Sequence, residues 1–189
     1  MNFLLATLNT YKIREIKTIM GLEFLSLGKI SVAETGKSYA ANAYLKAKAY
    51  YDQYHVASIA DDSGLMIRAL KGAPGIFSQR YSGSSSDLAN NLLVLKNMEG
   101  QKNRQAKFVC WICLYLGEHD VHYFKGTLKG TIGHSITSGR GFGYDSIFEI
   151  AGLGPLSTLG DEQKNQISHR ARACAKLKKY LIKRSLINV

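Results

Sequence analysis

The sequence predicts an α/β fold built on a mixed sheet flanked by helices. Three observations predict it. Short apolar β-type runs alternate with helical patterns through the first half of the chain. Two long β-type runs then follow each other across Gly117-Glu118-His119-Asp120, which suits a hairpin and therefore an antiparallel pair. The unusual polar residues gather in loops after strands, where α/β proteins place their ligands. At 189 residues the chain is long enough for one domain and too short for two ordinary ones.

The elements read in order as follows. Phe3 to Thr7 is a short buried strand. A helix follows with Ile13, Ile16, Ile19 and Met20 on one face, capped by Asn9 or Thr10. A second helix, rich in Ala and Lys, covers Ser38 to about Tyr54. Val56 to Ala60 and Leu65 to Ala69 read as strands joined by an Asp61-Asp62-Ser63-Gly64 turn. Lys71 to Ser86 reads as a loop and Asp87 to about Met98 as a helix. Ala106 to Leu116 and Val121 to Ile132 are the hairpin strands. After a glycine-containing loop, Gly133 to Gly143, a last short strand runs from Tyr144 to Ile150. From about Asp161 the chain is helical, with Leu177 and Leu181 on one face and Lys176, Lys178, Lys179, Lys183 and Arg184 mostly on the others.

Composition narrows the function classes. The chain is 46% hydrophobic and 21% charged with only 2 Pro, and no stretch approaches the roughly 20 apolar residues of a membrane helix. The N-terminal run lacks a basic n-region, so a cytoplasmic address is expected. The net charge of +11, from 25 Lys and Arg against 14 Asp and Glu, favours polyanionic partners: nucleic acid, an acidic membrane surface or small phosphorylated ligands. There are 3 cysteines. Cys110 and Cys113 form a C-x-x-C, but on a strand positions three apart face opposite sides, and no second pair completes a zinc set. They read as plain thiols in a reducing compartment.

Five constellations carry chemistry. In Thr7-Leu8-Asn9-Thr10-Tyr11-Lys12 a strand gives way to a helix N-terminus, whose amides favour anions, with hydroxyl, amide and ammonium donors beside them. The bland alternative is a capped helix with a surface lysine. Asp61 and Asp62 set two carboxylates side by side, a pairing that repels unless a cation such as Mg²⁺ intervenes; the alternative is a solvated turn. Glu34, just before the second helix, offers a further carboxylate, or is an exposed loop acid. In Gly139-Arg140-Gly141-Phe142-Gly143-Tyr144-Asp145, glycines flank an aromatic that can stack on a base, or that turns into the core. Lys164, His169 and Arg170 cluster donors around Ser168, a candidate N-cap, or simply open a solvated basic helix. Together these point to a metal, phosphates and one base.

These blocks resemble the inosine triphosphate pyrophosphatases, also called dITP/XTP pyrophosphatases, from Phe3 to about Lys178. The blocks that carry the resemblance stand in order: Thr7 to Lys12; Glu34-Thr35-Gly36 with Asn42-Ala43 and Lys46-Ala47; Ala60 to Leu65 continuing through Gly72 to Ile76 and Arg80 to Gly83; Gly141 to Asp145; and Lys164-Asn165 with Ile167 to Arg170. The resemblance implies an elongated mixed α/β fold, residues 1–189 forming a single domain of two lobes around a central active-site cleft, and a homodimer. It implies Mg²⁺ as cofactor, with Glu34 and Asp62 as ligands and Asp62 as general base. It implies that Thr7, Leu8, Asn9, Thr10, Tyr11 and Lys12 hold phosphates, that Ser63 contacts substrate, that Phe142, Gly143, Tyr144 and Asp145 bind the base, and that Lys164, His169 and Arg170 complete the nucleotide site. The implied reaction is hydrolysis of ITP, dITP and XTP to monophosphate and pyrophosphate, with no stable nucleic-acid partner and no membrane. The chain departs from the pattern at Leu8, where the family usually has Gly, at Ala41, near a usual Glu, and at Ser146, where Pro usually follows Gly-Tyr-Asp. The run Leu156 to Asp161 follows it only loosely. Two rivals are a basic nucleic-acid-binding module, favoured by the charge and the lysine-rich last helix, and a related pyrophosphatase acting on other nucleotides.

Overall fold

The computed structural model describes residues 1–25, 27–28 and 30–188. Six strands form one sheet in sequence order: β1 (Leu4–Leu5), β2 (Ser58–Ile67), β3 (Gln105–Gly117), β4 (Asp120–Ile132), β5 (Phe148–Ile150) and β6 (Gly154–Pro155). β1 pairs parallel with β2, Leu4 opposite Ser58, whereas β4 with β5 and β5 with β6 are antiparallel. The sheet is therefore mixed, as expected. The helices are α1 (Thr10–Met20), α2 (Tyr39–Tyr54), α3 (Asp87–Asn97), α4 (Asp161–Ile167) and α5 (His169–Lys183).

The chain divides into two compact units. Unit one comprises residues 1–62, 110–126 and 169–189, and unit two comprises residues 63–109 and 127–168. In unit one, Ile16 and Met20 of α1 and Cys174, Leu177 and Leu181 of α5 bury against Leu5, Ile59, Cys110 and Ile112. Ala43, Ala47 and Tyr50 of α2 bury against Ala60, Cys113 and Tyr115 in a second cluster of the same unit. Cys110 and Cys113 thus do belong to different clusters, as strand alternation requires, and all three cysteines are buried free thiols. In unit two, Leu65 and Ile67 of β2, Val94 and Met98 at α3, and Phe108, Leu128 and Ile132 make one core with Ile147, Phe148 and Leu156.

Several expectations are corrected. Asp61 to Gly64 form no turn: β2 runs through them without a break, and nearly all of its residues are buried. The core on either flank supplies the ladder, so Asp, Ser and Gly adopt extended backbone against their local preference. A 3₁₀ segment, Gly75–Arg80, interrupts the predicted loop, and another, Asp145–Ile147, replaces the start of the strand predicted from Tyr144. The C-terminal helix is two helices, broken at Ser168, where φ of −61° and ψ of 159° leave the helical region.

Candidate functional site

In unit one, α1 begins with Asn9 as its cap. Asn9 Oδ1 accepts from the amides of Tyr11 (3.0 Å) and Lys12 (3.1 Å), and Thr7 Oγ1 accepts from Asn9 N. Two amides that the sequence offered to an anion are therefore held by the cap. Tyr11 and Leu8 are about half exposed. Lys12 lies one turn in and sends its ammonium 3.0 Å from Asp61 Oδ2.

Asp61 is fully buried. The same Oδ2 that meets Lys12 also accepts from Arg170 Nη2 at 3.3 Å, and Arg170 Nη1 pairs with Glu15 of α1. Burial alone would raise the Asp61 pKa, but Lys12, Arg170 and Lys46 outweigh it and hold the carboxyl well below the ordinary range. Arg170 is 1% exposed, and the same two anions push its pKa above the usual value against the cost of burial.

Asp62 meets a different set. Asn42 Nδ2 donates to its Oδ2 at 3.1 Å, and Lys46 Nζ lies 3.9 Å from its Oδ1. Lys46 also binds Glu34 Oε1 at 2.7 Å. Asn42 and Lys46 stand four apart on α2, hence on one face. Asn42 Oδ1 accepts from Gly36 N at 2.8 Å, which ties the segment carrying Glu34 to the same face. A Cβ on Gly36 would sit 2.6 Å from Asn42 Oδ1 and 2.9 Å from Asn42 N, so this approach requires glycine. Burial pushes the Asp62 pKa up to about 6; Lys46 and Lys12 oppose the rise and Glu34 adds to it. For Lys46, burial is outweighed by Asp61, Asp62 and Glu34, and its pKa is raised.

This donor set fits Mg²⁺. Glu34 and Asp62 converge on one ammonium, so two carboxylates stand close enough to share a cation. Among the described residues no three His, Cys, Asp or Glu side chains gather into a metal cage. Mg²⁺ suits a pair of carboxylates, since it is usually held by one or two of them plus substrate phosphates.

In unit two, Phe142 stands between Gly141 (φ +99°) and Gly143 (φ +65°). Asp145 Oδ2 accepts from Phe142 N at 3.0 Å and from Lys164 Nζ at 2.6 Å, and that ammonium lies 4.6 Å from the Phe142 ring centroid. Tyr144 donates its hydroxyl proton to Ser78 O at 2.6 Å. Lys164, on α4, is 5% exposed, and Ser63 is half-buried on β2. His169 opens α5 in unit one, nearly buried. Sequence reasoning assigned no role to Glu15, Asn42 or Lys46. Asn42 and Lys46 stood within a block of the resemblance, and their four-residue spacing on a helical pattern put them on one face.

The Ham1 family profile matches residues 3–180. The chain belongs to the Ham1 family. Among its Ham1-like relatives, the dITP/XTP pyrophosphatase of Aquifex aeolicus is 40% identical, covering 94% of this chain and 95% of that protein. The dITP/XTP pyrophosphatase of Exiguobacterium sp. is 39% identical, covering 96% and 97%. The structure of the Ham1 protein of Staphylococcus aureus superposes with a TM-score of 0.88 at 36% identity, covering 97% of this chain and all of that one.

Proposed function

We propose that this Ham1 family member hydrolyses dITP, ITP and XTP to the monophosphate and pyrophosphate in a magnesium-dependent reaction that clears non-standard purine nucleotides. One observation carries the chemistry: Asp62, nearly buried, has a pKa of about 6 and sits against Asn42 and Lys46, with Glu34 on the same lysine. Buried and held by Asn42, this carboxylate is oriented to take a proton from water. The names of the Aquifex aeolicus and Exiguobacterium relatives, both dITP/XTP pyrophosphatases, support the substrate class.

Glu34 and Asp62 would hold Mg²⁺ together with substrate phosphate oxygens, and the ion supplies charge that stabilises those oxygens as the reaction proceeds. Asp62 orients a water and takes its proton as the water oxygen bonds to the α-phosphorus. The bond to the α,β-bridging oxygen breaks, pyrophosphate leaves with that electron pair, and the proton passes from Asp62 to solvent. Lys12 offsets the charge that shifts onto the pyrophosphate. Asn42 holds Asp62 in place.

Phe142 stacks on the base. His169 and Arg170 supply donors for a 6-keto oxygen, which would be left unmatched against the 6-amino group of ATP at about 1–3 kcal/mol each. Because both terminal nitrogens of Arg170 are directed to Glu15 and Asp61, the selection falls chiefly to His169. The proposal includes a homodimer in the cytoplasm, which the family resemblance supports. The test is pyrophosphate release from dITP, ITP, XTP, GTP and ATP, with Mg²⁺ and with EDTA. Metal-dependent release from the first three with ATP nearly untouched is expected; release from none would overturn the reading.

A further inference from the structure

In unit two, helix α3 grips one residue of the Phe142 loop, Gly143, through the peptide on either side of it. Asp87 Oδ2 accepts from Gly143 N at 2.6 Å, a charge-assisted bond. Asn91, four residues on and so on the same helical face, donates through Nδ2 to Gly143 O at 3.0 Å and to Ser146 Oγ at 2.9 Å. Asn91 is 3% exposed, so its amide works where water competes little. The neighbouring Asn90 fastens the helix to the segment behind the loop: its Oδ1 accepts from Ser82 N and its Nδ2 donates to Gln79 O. Gly143 carries a positive φ of +65°, a conformation that glycine adopts without steric cost.

We propose that Asp87 and Asn91 are positioning residues for the nucleotide base: they lock the two peptides that flank Gly143 and thereby set where Phe142 stands, and Ser146 strengthens the lock. The inference rests on the proposed nucleotide hydrolysis and deepens its base-binding end. The Ser146 hydroxyl gives the Asn91 amide a second acceptor. The lock acts before substrate arrives, so it lowers the ordering cost of binding rather than the chemical barrier. Its loss raises KM and leaves kcat nearly unchanged.

The test compares Asp87→Ala, Asp87→Asn, Asn91→Ala, Ser146→Ala and Ser86→Ala. Ser86 caps α3 through Ala89 N and touches no part of the loop, so Ser86→Ala controls for a weakened helix start. Steady-state hydrolysis of dITP is measured for each, together with hydrogen exchange of the Gly143 amide in the metal-free protein. The expected result is a KM raised roughly ten-fold in Asp87→Ala and Asn91→Ala, with kcat within about two-fold. Ser146→Ala should show a smaller rise, Asp87→Asn should recover affinity because its carbonyl still accepts, and Ser86→Ala should keep the wild-type KM. Exchange at Gly143 should quicken in Asp87→Ala and not in Ser86→Ala. If Asn91→Ala does not fold, the exposed Asp87 decides alone. Unchanged exchange, or quickened exchange with an unchanged KM, would overturn the positioning role while the hydrolysis stands. A wild-type protein that hydrolyses no nucleotide would instead overturn the proposed reaction, and the base-positioning role with it.

Discussion

Asp61 and Asp62 are consecutive on β2, yet they bind different cations: Lys12 and Arg170 hold Asp61 at 3.0 and 3.3 Å, whereas Asp62 bonds to Asn42 at 3.1 Å with Lys46 at 3.9 Å. Successive strand side chains point to opposite faces, so the two carboxylates avoid the repulsion that adjacency would otherwise impose. Their pKa values move apart: at Asp61, burial is outweighed by Lys12 and Arg170, which hold it well down, whereas burial carries Asp62 up to about 6 against Lys46 and Lys12. One anchors cations; the other is kept basic. Pairs of acids pushed apart in this way mark a division of labour.

Replacing Asp62 with Asn should reduce kcat at least about 100-fold, the usual contribution of a general base, while nucleotide binding survives. The same change should raise the melting temperature of the metal-free protein above about pH 6. The folded pKa of Asp62 exceeds its unfolded value, so ionising the carboxyl in the fold costs stability there, and Asn removes that cost. A loss of activity accompanied by a lower melting temperature at pH 8 would contradict this.

Asp61→Asn should behave in the opposite sense. It strips a buried anion from Lys12 and Arg170, at a cost of about 3–5 kcal/mol at pH 7. The folded pKa of Asp61 lies below the unfolded one, so its stabilisation is complete above about pH 4 and is lost as pH falls through the folded value. Urea titrations should show the gap between variant and wild type narrowing below about pH 4. A gap independent of pH would mean that packing, not charge, is what Asp61 supplies.

Gly36→Ala tests how Glu34 is placed. The new methyl would overlap Asn42, costing about 1–3 kcal/mol, and would push the Glu34 segment off α2. The Mg²⁺ concentration giving half-maximal hydrolysis should rise, with kcat at saturating metal much less affected. Titration of activity with Mg²⁺ reads this directly; an unchanged midpoint would separate Glu34 from the metal.

Phe142→Ala should weaken binding of every purine nucleotide by about 1–3 kcal/mol, the range of base–aromatic stacking. Because stacking does not choose among purines, the ratio of kcat/KM for ITP over ATP should hold. A collapse of that ratio would give Phe142 a part in selection.

Much of this was legible in the sequence because its signals are local. Asn9 before an apolar-periodic stretch marked the start of α1, Ser38 and Ser86 preceded the next two helices, and the Gly117 to Asp120 turn gave the hairpin. The Asp-Asp-Ser-Gly run misled because its residues favour turns, and only the apolar residues on its flanks and across the sheet hold it extended. The partners of Asp61 and Asp62 were illegible for a related reason. Asn42 lies 20 residues away and Arg170 lies 109 from Asp61, and no periodicity encodes such pairings. The grip of α3 on Gly143, across 56 and 52 residues, was hidden in the same way.

The buried cysteines have a practical consequence. Cys110, Cys113 and Cys174 all belong to unit one, and burial pushes the Cys113 and Cys174 thiols up to about 12, with Cys110 raised as well. A thiol with so little thiolate reacts only when the structure around it opens. The chain has no other cysteine. Alkylation kinetics under native conditions therefore clock the opening of unit one and are blind to unit two, so the chain carries its own reporter for that half alone.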